Sequence, residues 1–180
     1  MEIIQTPIQG LLIIKPRVFA DNRGYFYESW NRADFAKAGI HTDFVQDNQS
    51  LSQRGVLRGL HFQNPPHAQA KLVRVIQGAV LDVAVDIRKD SPTYGQHFSV
   101  ELTADNKISF LIPAGFAHGF LTLQDNTIFS YKCSALYNKD SEGCLLWNDP
   151  SLAIHWNTEN PALSEKDLTG SAFRGFNSLF

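Results

Sequence analysis

Three polar clusters interrupt the apolar stretches of this sequence, and each carries a side chain that can move or stabilise a proton. They are Arg58-Gly59-Leu60-His61-Phe62-Gln63, then Lys71, then Pro113-Ala114-Gly115-Phe116-Ala117-His118-Gly119. A lone histidine in an apolar strand is more often a satisfied core residue than a catalyst. His61, however, has Arg58 three residues before it and Lys71 ten residues after it. Buried cations without a partner are costly, so the cluster calls for a carboxylate or an anionic ligand, with a phosphate or a developing oxyanion as the implied guest. Strict alternation sets Arg58 and His61 on opposite strand faces, unless Gly59 marks a bulge or the strand ends there. Tyr131 shares a face with Phe129, Cys133 and Ala135. A tyrosine so placed is usually a core aromatic with its hydroxyl bonded. It can also be a proton donor, since a phenol of pKa about 10 can reprotonate an enolate carbon at neutral pH.

The elements that must position these groups read as short alternating segments from Gly10 to about Tyr137. Tyr25 to Trp30, Lys71 to Gln77, Ala79 to Arg88, Gln96 to Thr103, Lys107 to Ile112 and Thr127 to Ala135 are expected strands. In the segment after Gly78, Leu81, Val83, Val85 and Ile87 take one face, and Asp82, Asp86 and Arg88 the other, which predicts one buried and one wet face. A short helix is expected over Arg32 to Ala38, with Asn31 as N-cap and Gly39 as its stop. More helix is expected in the tail, where Ser164 and Asp167 have the spacing of a weak capping pattern. Many short strands with Gly and Pro turns predict an all-β jelly roll or related barrel over residues 1–180 as one domain. Exposed sheet edges make a homodimer the default.

Composition narrows the function. The chain has 180 residues, 43% of them apolar, enough for one large core. A formal net charge of −2 with scattered basic residues argues against nucleic acid. No apolar run approaches bilayer length, and Met1-Glu2-Ile3-Ile4 lacks the features of a secretory signal, so a soluble cytoplasmic protein is expected, with no membrane partner. Cys133 and Cys144 suit neither a disulfide framework nor a thiolate zinc site and are expected to be reduced packing residues. The turn Pro113-x-Gly115-x-x-His118 resembles the second conserved motif of the cupin superfamily. Metal-binding cupins add an HxH pair and a carboxylate. No HxH exists in this chain, and Lys71 would repel a cation, so a cupin without metal or other cofactor is expected.

Longer motifs carry a closer resemblance. Phe19-x-Asp21-x-Arg23-Gly24-x-Phe26-x-Glu28, Phe44-Val45-Gln46-Asp47-Asn48-x-Ser50, Gly55 through Gln63, Lys71-Leu72-Val73-Arg74-Val75, Gly78 through Arg88, Pro113 through Phe120 and Leu163-Ser164-Glu165-Lys166-Asp167 occur in this order. From about Ile4 to Gly175 the sequence resembles the cupin-type dTDP-4-dehydrorhamnose 3,5-epimerase family. The resemblance implies that His61 abstracts the proton beside the 4-keto group of a dTDP-linked 4-keto-6-deoxy sugar. It implies that Asp167 orients His61, and that Tyr131 reprotonates from the opposite face. Lys71 is the candidate for stabilising the enolate oxygen, with His118 beside it. Arg58 and Arg23 are implied at the diphosphate, with Arg23 and Glu28 supplied by the partner of a homodimer through an exchanged N-terminal strand. Gln46, Asp47 and Asn48 are implied at the nucleotide or sugar region, Tyr137 on the thymine, and Glu142 and Lys166 as further ligand contacts. Gln49 departs from the histidine found in many relatives, which bears on the shape of that segment. The alternatives are an epimerase inverting one carbon, a metal-dependent cupin and a non-catalytic sugar-binding module.

Overall fold

The computed structural model of the chain describes residues 1–180. Its strands are β1 (Glu2–Gln5), β2 (Leu12–Lys15), β3 (Phe19–Asp21), β4 (Gly24–Phe26), β5 (Gln46–Ser52), β6 (Leu57–Gln63), β7 (Lys71–Gln77), β8 (Ala79–Asp86), β9 (His97–Thr103), β10 (Ser109–Ile112), β11 (Phe116–Thr122), β12 (Thr127–Cys133) and β13 (Glu142–Cys144). Helix α1 (Arg32–Lys37) lies between β4 and β5, and helix α2 (Glu165–Leu168) lies in the tail. A six-stranded sheet in the order β1-β2-β10-β7-β12-β5 faces a five-stranded sheet in the order β13-β6-β11-β8-β9, while β3 and β4 form a separate hairpin. This is the expected jelly roll, with antiparallel pairing throughout both sheets.

Alternation along the strands divides the apolar residues among three layers. Val73, Val75, Phe110 and Phe129 of one sheet meet Val80, Ala84, Leu102 and Phe120 of the other in the space between them. Phe110 and Phe129 are almost wholly buried, and burial of side chains of this size contributes about 1.5–3 kcal/mol each. The outer face of the five-stranded sheet presents Leu57, Val83, Val85 and Ile87, and the tail covers it with Leu145, Trp147, Leu152 and Trp156. Helix α1 lays Phe35 against Ile14, Leu72 and Leu111 on the outer face of the six-stranded sheet. Asn31 caps α1 by accepting from the backbone N–H groups of Ala33 and Asp34, and Gly39 follows its end at φ +81°.

Two expectations need correction. The segment after Gly78 has no wet face, because β8 lies inside its sheet with a packed layer on each side; Asp82 and Asp86 are fully buried. Asp86 is compensated by Arg88, Ser91 and Thr93, whose donors lie 2.6 to 2.9 Å from its oxygens. The strand expected over Tyr25 to Trp30 stops at Phe26, which pairs with Phe19 at the start of β3, so no further ladder partner exists. The helix expected in the tail is the four-residue α2, begun where Ser164 and Asp167 mark it. The remainder of the tail is irregular chain spent on covering the sheet, with Asp149 tying it by bonds of 2.7 Å from the N–H groups of Ser151 and Phe173. No helix is long and apolar enough to cross a membrane.

Candidate active site

The face conflict at Arg58 and His61 is resolved by a bulge. His61 lies opposite His118 and Arg58 opposite Phe120, so three steps along β6 match two along β11. The extra residue falls where β6 and β11 meet at glycine. Gly59 has φ +142°, and a Cβ on it would sit 2.4 Å from Gly119 Cα. A Cβ on Gly119 would in turn sit 2.8 Å from the Arg58 carbonyl oxygen. The two backbones can approach this closely only without side chains. Leu60 then points outward into the packed layer under the tail, while Arg58 and His61 both line a cavity of about 320 Å³ between the sheets.

Asp167 fixes the imidazole. Ser164 and Asp167 form a complete capping box at the start of α2, so the sequence spacing was a true helix signal. One carboxylate oxygen, Oδ2, accepts from the Ser164 hydroxyl at 2.6 Å and the Ser164 N–H at 3.3 Å. The other, Oδ1, accepts from His61 Nε2 at 2.6 Å and the Gly59 N–H at 3.2 Å. Burial opposes ionisation of this carboxyl, but the bonds from His61, Ser164 and Gly59 outweigh it and hold the pKa at about 2. An ionised carboxylate only accepts, so the neutral imidazole carries its proton on Nε2 and leaves the Nδ1 lone pair free. The His61 side chain is 28% exposed, open to the cavity rather than sealed.

The remaining groups complete a charged and aromatic wall. Lys71, at the start of β7, lines the same cavity and makes no hydrogen bond or ion pair within the chain. Burial pulls its pKa down, opposed in part by the carboxylates of Asp82 and Glu142. Tyr131 lines the cavity from β12, opposite Asn48 in register. Burial raises its pKa, so the phenol stays protonated at neutral pH. Nε2 of buried His118 lies 3.0 Å from both oxygens of Asp82. Burial lowers the His118 pKa; Asp82 opposes this, and the nearby charges of Lys71 and His61 reinforce it. Phe129 stacks on Phe120 with ring centroids 4.1 Å apart. Asp82 was missed from sequence because alternation placed it on a solvent face; its spacing in β8 opposite Phe120 in β11 becomes informative only once the sheets are closed.

The sequence-derived set is not all in one place. Arg58, His61, Lys71, His118, Tyr131, Lys166 and Asp167 share the cavity. Lys166 pairs with Glu142, Glu142 accepts from the Tyr137 hydroxyl at 3.2 Å, and Gln46 accepts from the Tyr137 N–H at 2.9 Å. Tyr137 itself is 55% exposed. Asp47 points away: β5 alternates, so Gln46, Asn48 and Ser50 turn inward while Asp47 and Gln49 turn out. Asp47 instead binds Lys132 at 2.9 Å. Gln49 lies within β5 rather than in a loop. Arg23 and Glu28 do not reach the cavity of their own chain; Arg23 pairs with Asp21 at 2.5 Å and Glu28 accepts from Asn31 at 3.0 Å.

His61, Cys144 and Asp167 offer ligand atoms within 4.8 Å of one another. The donor set suits a metal poorly. Both carboxylate oxygens already hold donors, and burial, reinforced by Asp167, pushes the Cys144 thiol up to about 11, where it keeps its proton. Both cysteines are free.

Fold and cavity together define a jelly-roll enzyme equipped for proton transfer at carbon. The model of the family described as dTDP-4-dehydrorhamnose 3,5-epimerase matches residues 5–175. An enzyme of that name from Shigella flexneri is 52% identical over 174 residues, covering 96% of each chain. The structure of a dTDP-6-deoxy-D-glucose-3,5-epimerase from Legionella pneumophila in complex with dTDP-4-keto-L-rhamnose superimposes with a TM-score of 0.94 at 47% identity, covering 98% of this chain and 94% of that one. A 3'-monoepimerase from Streptomyces bikiniensis in complex with dTDP-quinovose gives a TM-score of 0.88 at 34% identity, covering 93% of this chain and 85% of that one. The chain belongs to the dTDP-4-dehydrorhamnose 3,5-epimerase family, and it is an isomerase.

The depressed Asp167 pKa makes a prediction about acid stability. A carboxyl whose folded pKa lies below its unfolded value stabilises the fold above the unfolded pKa and loses that contribution as pH falls. For Asp167 the window runs from 3.8 down to about 2. Asp167→Asn is expected to flatten the stability loss across this window by about one proton in urea-denaturation series, while Asp86, held at about 2 in the same way, and Asp149, lowered by its hydrogen bonds, keep the remaining slope in place.

Proposed function

We propose that the chain inverts carbons 3 and 5 of dTDP-4-dehydro-6-deoxy-D-glucose to give dTDP-4-dehydro-L-rhamnose. The observation that carries the reading is one cavity lined by a carboxylate-bound imidazole, a protonated phenol and a lysine amino group without a partner in the chain. His61 Nδ1 takes the proton from the carbon beside the ketone, and the electron pair moves to the 4-keto oxygen. Lys71 stabilises the resulting enolate, an interaction stronger in the transition state than in the ground state. Tyr131 then returns a proton to the opposite face, and solvent resets both groups. His118 borders the sugar, and Arg58, Lys166, Glu142, Tyr137, Gln46 and Asn48 contact the nucleotide part. No step requires a cofactor.

We further propose a homodimer in which the β3–β4 hairpin reaches the other protomer, so that the partner's Arg23 and the partner's Glu28 complete the diphosphate site. Support comes from the hairpin itself, which leaves Phe19, Tyr25 and Phe26 each more than half exposed. It also comes from the unpaired outer edge of β5, and an open strand edge is a ready template for another chain.

Incubation with the dTDP-linked keto sugar in deuterated water is expected to place label at both carbons by NMR. Label at one carbon alone would make the enzyme a monoepimerase. His61→Ala should slow exchange by roughly 10²- to 10⁴-fold at both positions with dTDP binding retained. Tyr131→Phe should impair net inversion more than initial proton loss; equal impairment would reduce Tyr131 to a wall of the pocket. Mixing inactive Arg23→Ala and His61→Ala chains after joint refolding should restore about a quarter of wild-type activity, as statistical pairing of shared sites requires. No restoration would place each site within one chain.

A further inference from the structure

Ser50 Oγ is shielded from solvent and has no hydrogen-bond partner in the chain, a condition shared by Trp30 Nε1 and Thr122 Oγ1. Of these three, Ser50 alone lines the cavity that holds His61, Lys71 and Tyr131. Buried hydroxyls are normally paired, and one left unpaired costs stability, so its partner is missing rather than unnecessary. The surroundings indicate the partner's charge. Ser50 lies on the inward face of β5 opposite Phe129, two residues before Ser52 on the same face. Ser52 Oγ accepts from Arg58 Nε at 3.3 Å, which anchors the guanidinium by its inner nitrogen and leaves both terminal nitrogens without a partner in the chain. A free hydroxyl donor and a free guanidinium fork therefore border the same end of one cavity, on the side away from Lys71, whose register partner is Cys133 at the far end of β12. Phe120 and Phe129 offer nothing polar between them.

We infer that Ser50 donates its hydroxyl hydrogen to a diphosphate oxygen of the nucleotide-linked substrate, beside Arg58. This rests on the epimerase reading above and adds a binding residue to it. Ser50 plays no part in proton transfer. Its role is felt in affinity: a hydrogen bond to a charged oxygen is made in the complex, and an unpaired hydroxyl is left in the free protein.

Calorimetric titration with dTDP, thermal unfolding of the free protein and steady-state kinetics, each on wild type and Ser50→Ala, test this. The variant is expected to bind dTDP roughly tenfold to a hundredfold more weakly. KM should rise by a similar factor with kcat nearly unchanged. The melting temperature of the free variant should equal or exceed that of wild type, because the change deletes a hydroxyl that nothing in the empty chain satisfies. Equal dTDP affinity in the two proteins, or a free variant that melts several degrees lower, would overturn the assignment, the latter by exposing a structural role. Failure of wild type itself to bind dTDP would instead overturn the epimerase reading, and this inference with it.

Discussion

A single buried carboxylate ties the end of the chain to its centre. Asp167 Oδ2 closes the capping box that starts α2, and Asp167 Oδ1 holds the imidazole of His61 and the N–H of Gly59, more than a hundred residues earlier. Burying an unpaired carboxylate would be strongly unfavourable, and here four donors offset that cost. The same bonds settle chemistry. They keep the acid ionised, fix the proton on His61 Nε2 and turn the basic nitrogen away from the carboxylate. A short helix that would be marginal alone is thus held in place by the site it serves, and the site is oriented by the helix.

The bulge in β6 is the second constraint, and it acts together with the first. Regular pairing would send either Arg58 or His61 into the apolar layer beneath the tail. The opposed glycines at 59 and 119 let β6 gain one residue against β11, so that both Arg58 and His61 face the cavity and the Gly59 N–H reaches Asp167. Opposite them, Lys71 stands without an ion-pair partner. Its nearest compensation is diffuse, from Asp82 behind His118 and from Glu142 paired to Lys166. Such a cavity is short of negative charge at contact distance. It is therefore disposed to accept an anionic ligand and to stabilise charge that develops on an oxygen.

Much of this was legible in the sequence where local signals act alone. The period-two runs gave β7, β8, β9 and β12 to within two residues at either end, Asn31 and Gly39 bracketed α1, and Ser164 with Asp167 marked α2. Long motifs in one order carried the family, and the resemblance pointed to His61, Asp167, Tyr131 and Lys71, which the fold brings to one cavity. What was not legible depends on closure of the two sheets. Asp82 and Asp86 look solvent-facing by alternation and are buried because β8 has a layer on each side. Asp47 looks like part of a binding segment and faces out because β5 is a strand whose neighbours Gln46 and Asn48 take the inward positions. Ser50 carries no signal until its hydroxyl is seen to lack a partner. Arg23 and Glu28 stand outside the cavity of their own chain, engaged with Asp21 and Asn31.

Asp167, by accepting from Nε2, leaves the lone pair of the neutral His61 imidazole on Nδ1. Nitrogen-15 NMR of histidine-labelled protein measures this directly on the neutral imidazole. A protonated Nε2 and a bare Nδ1 are expected for His61, with that preference lost when Asp167 is replaced by asparagine. A proton found on Nδ1 in the wild-type protein, with Nε2 bare, would contradict this, because the lone pair would then be directed at the carboxylate instead of away from it.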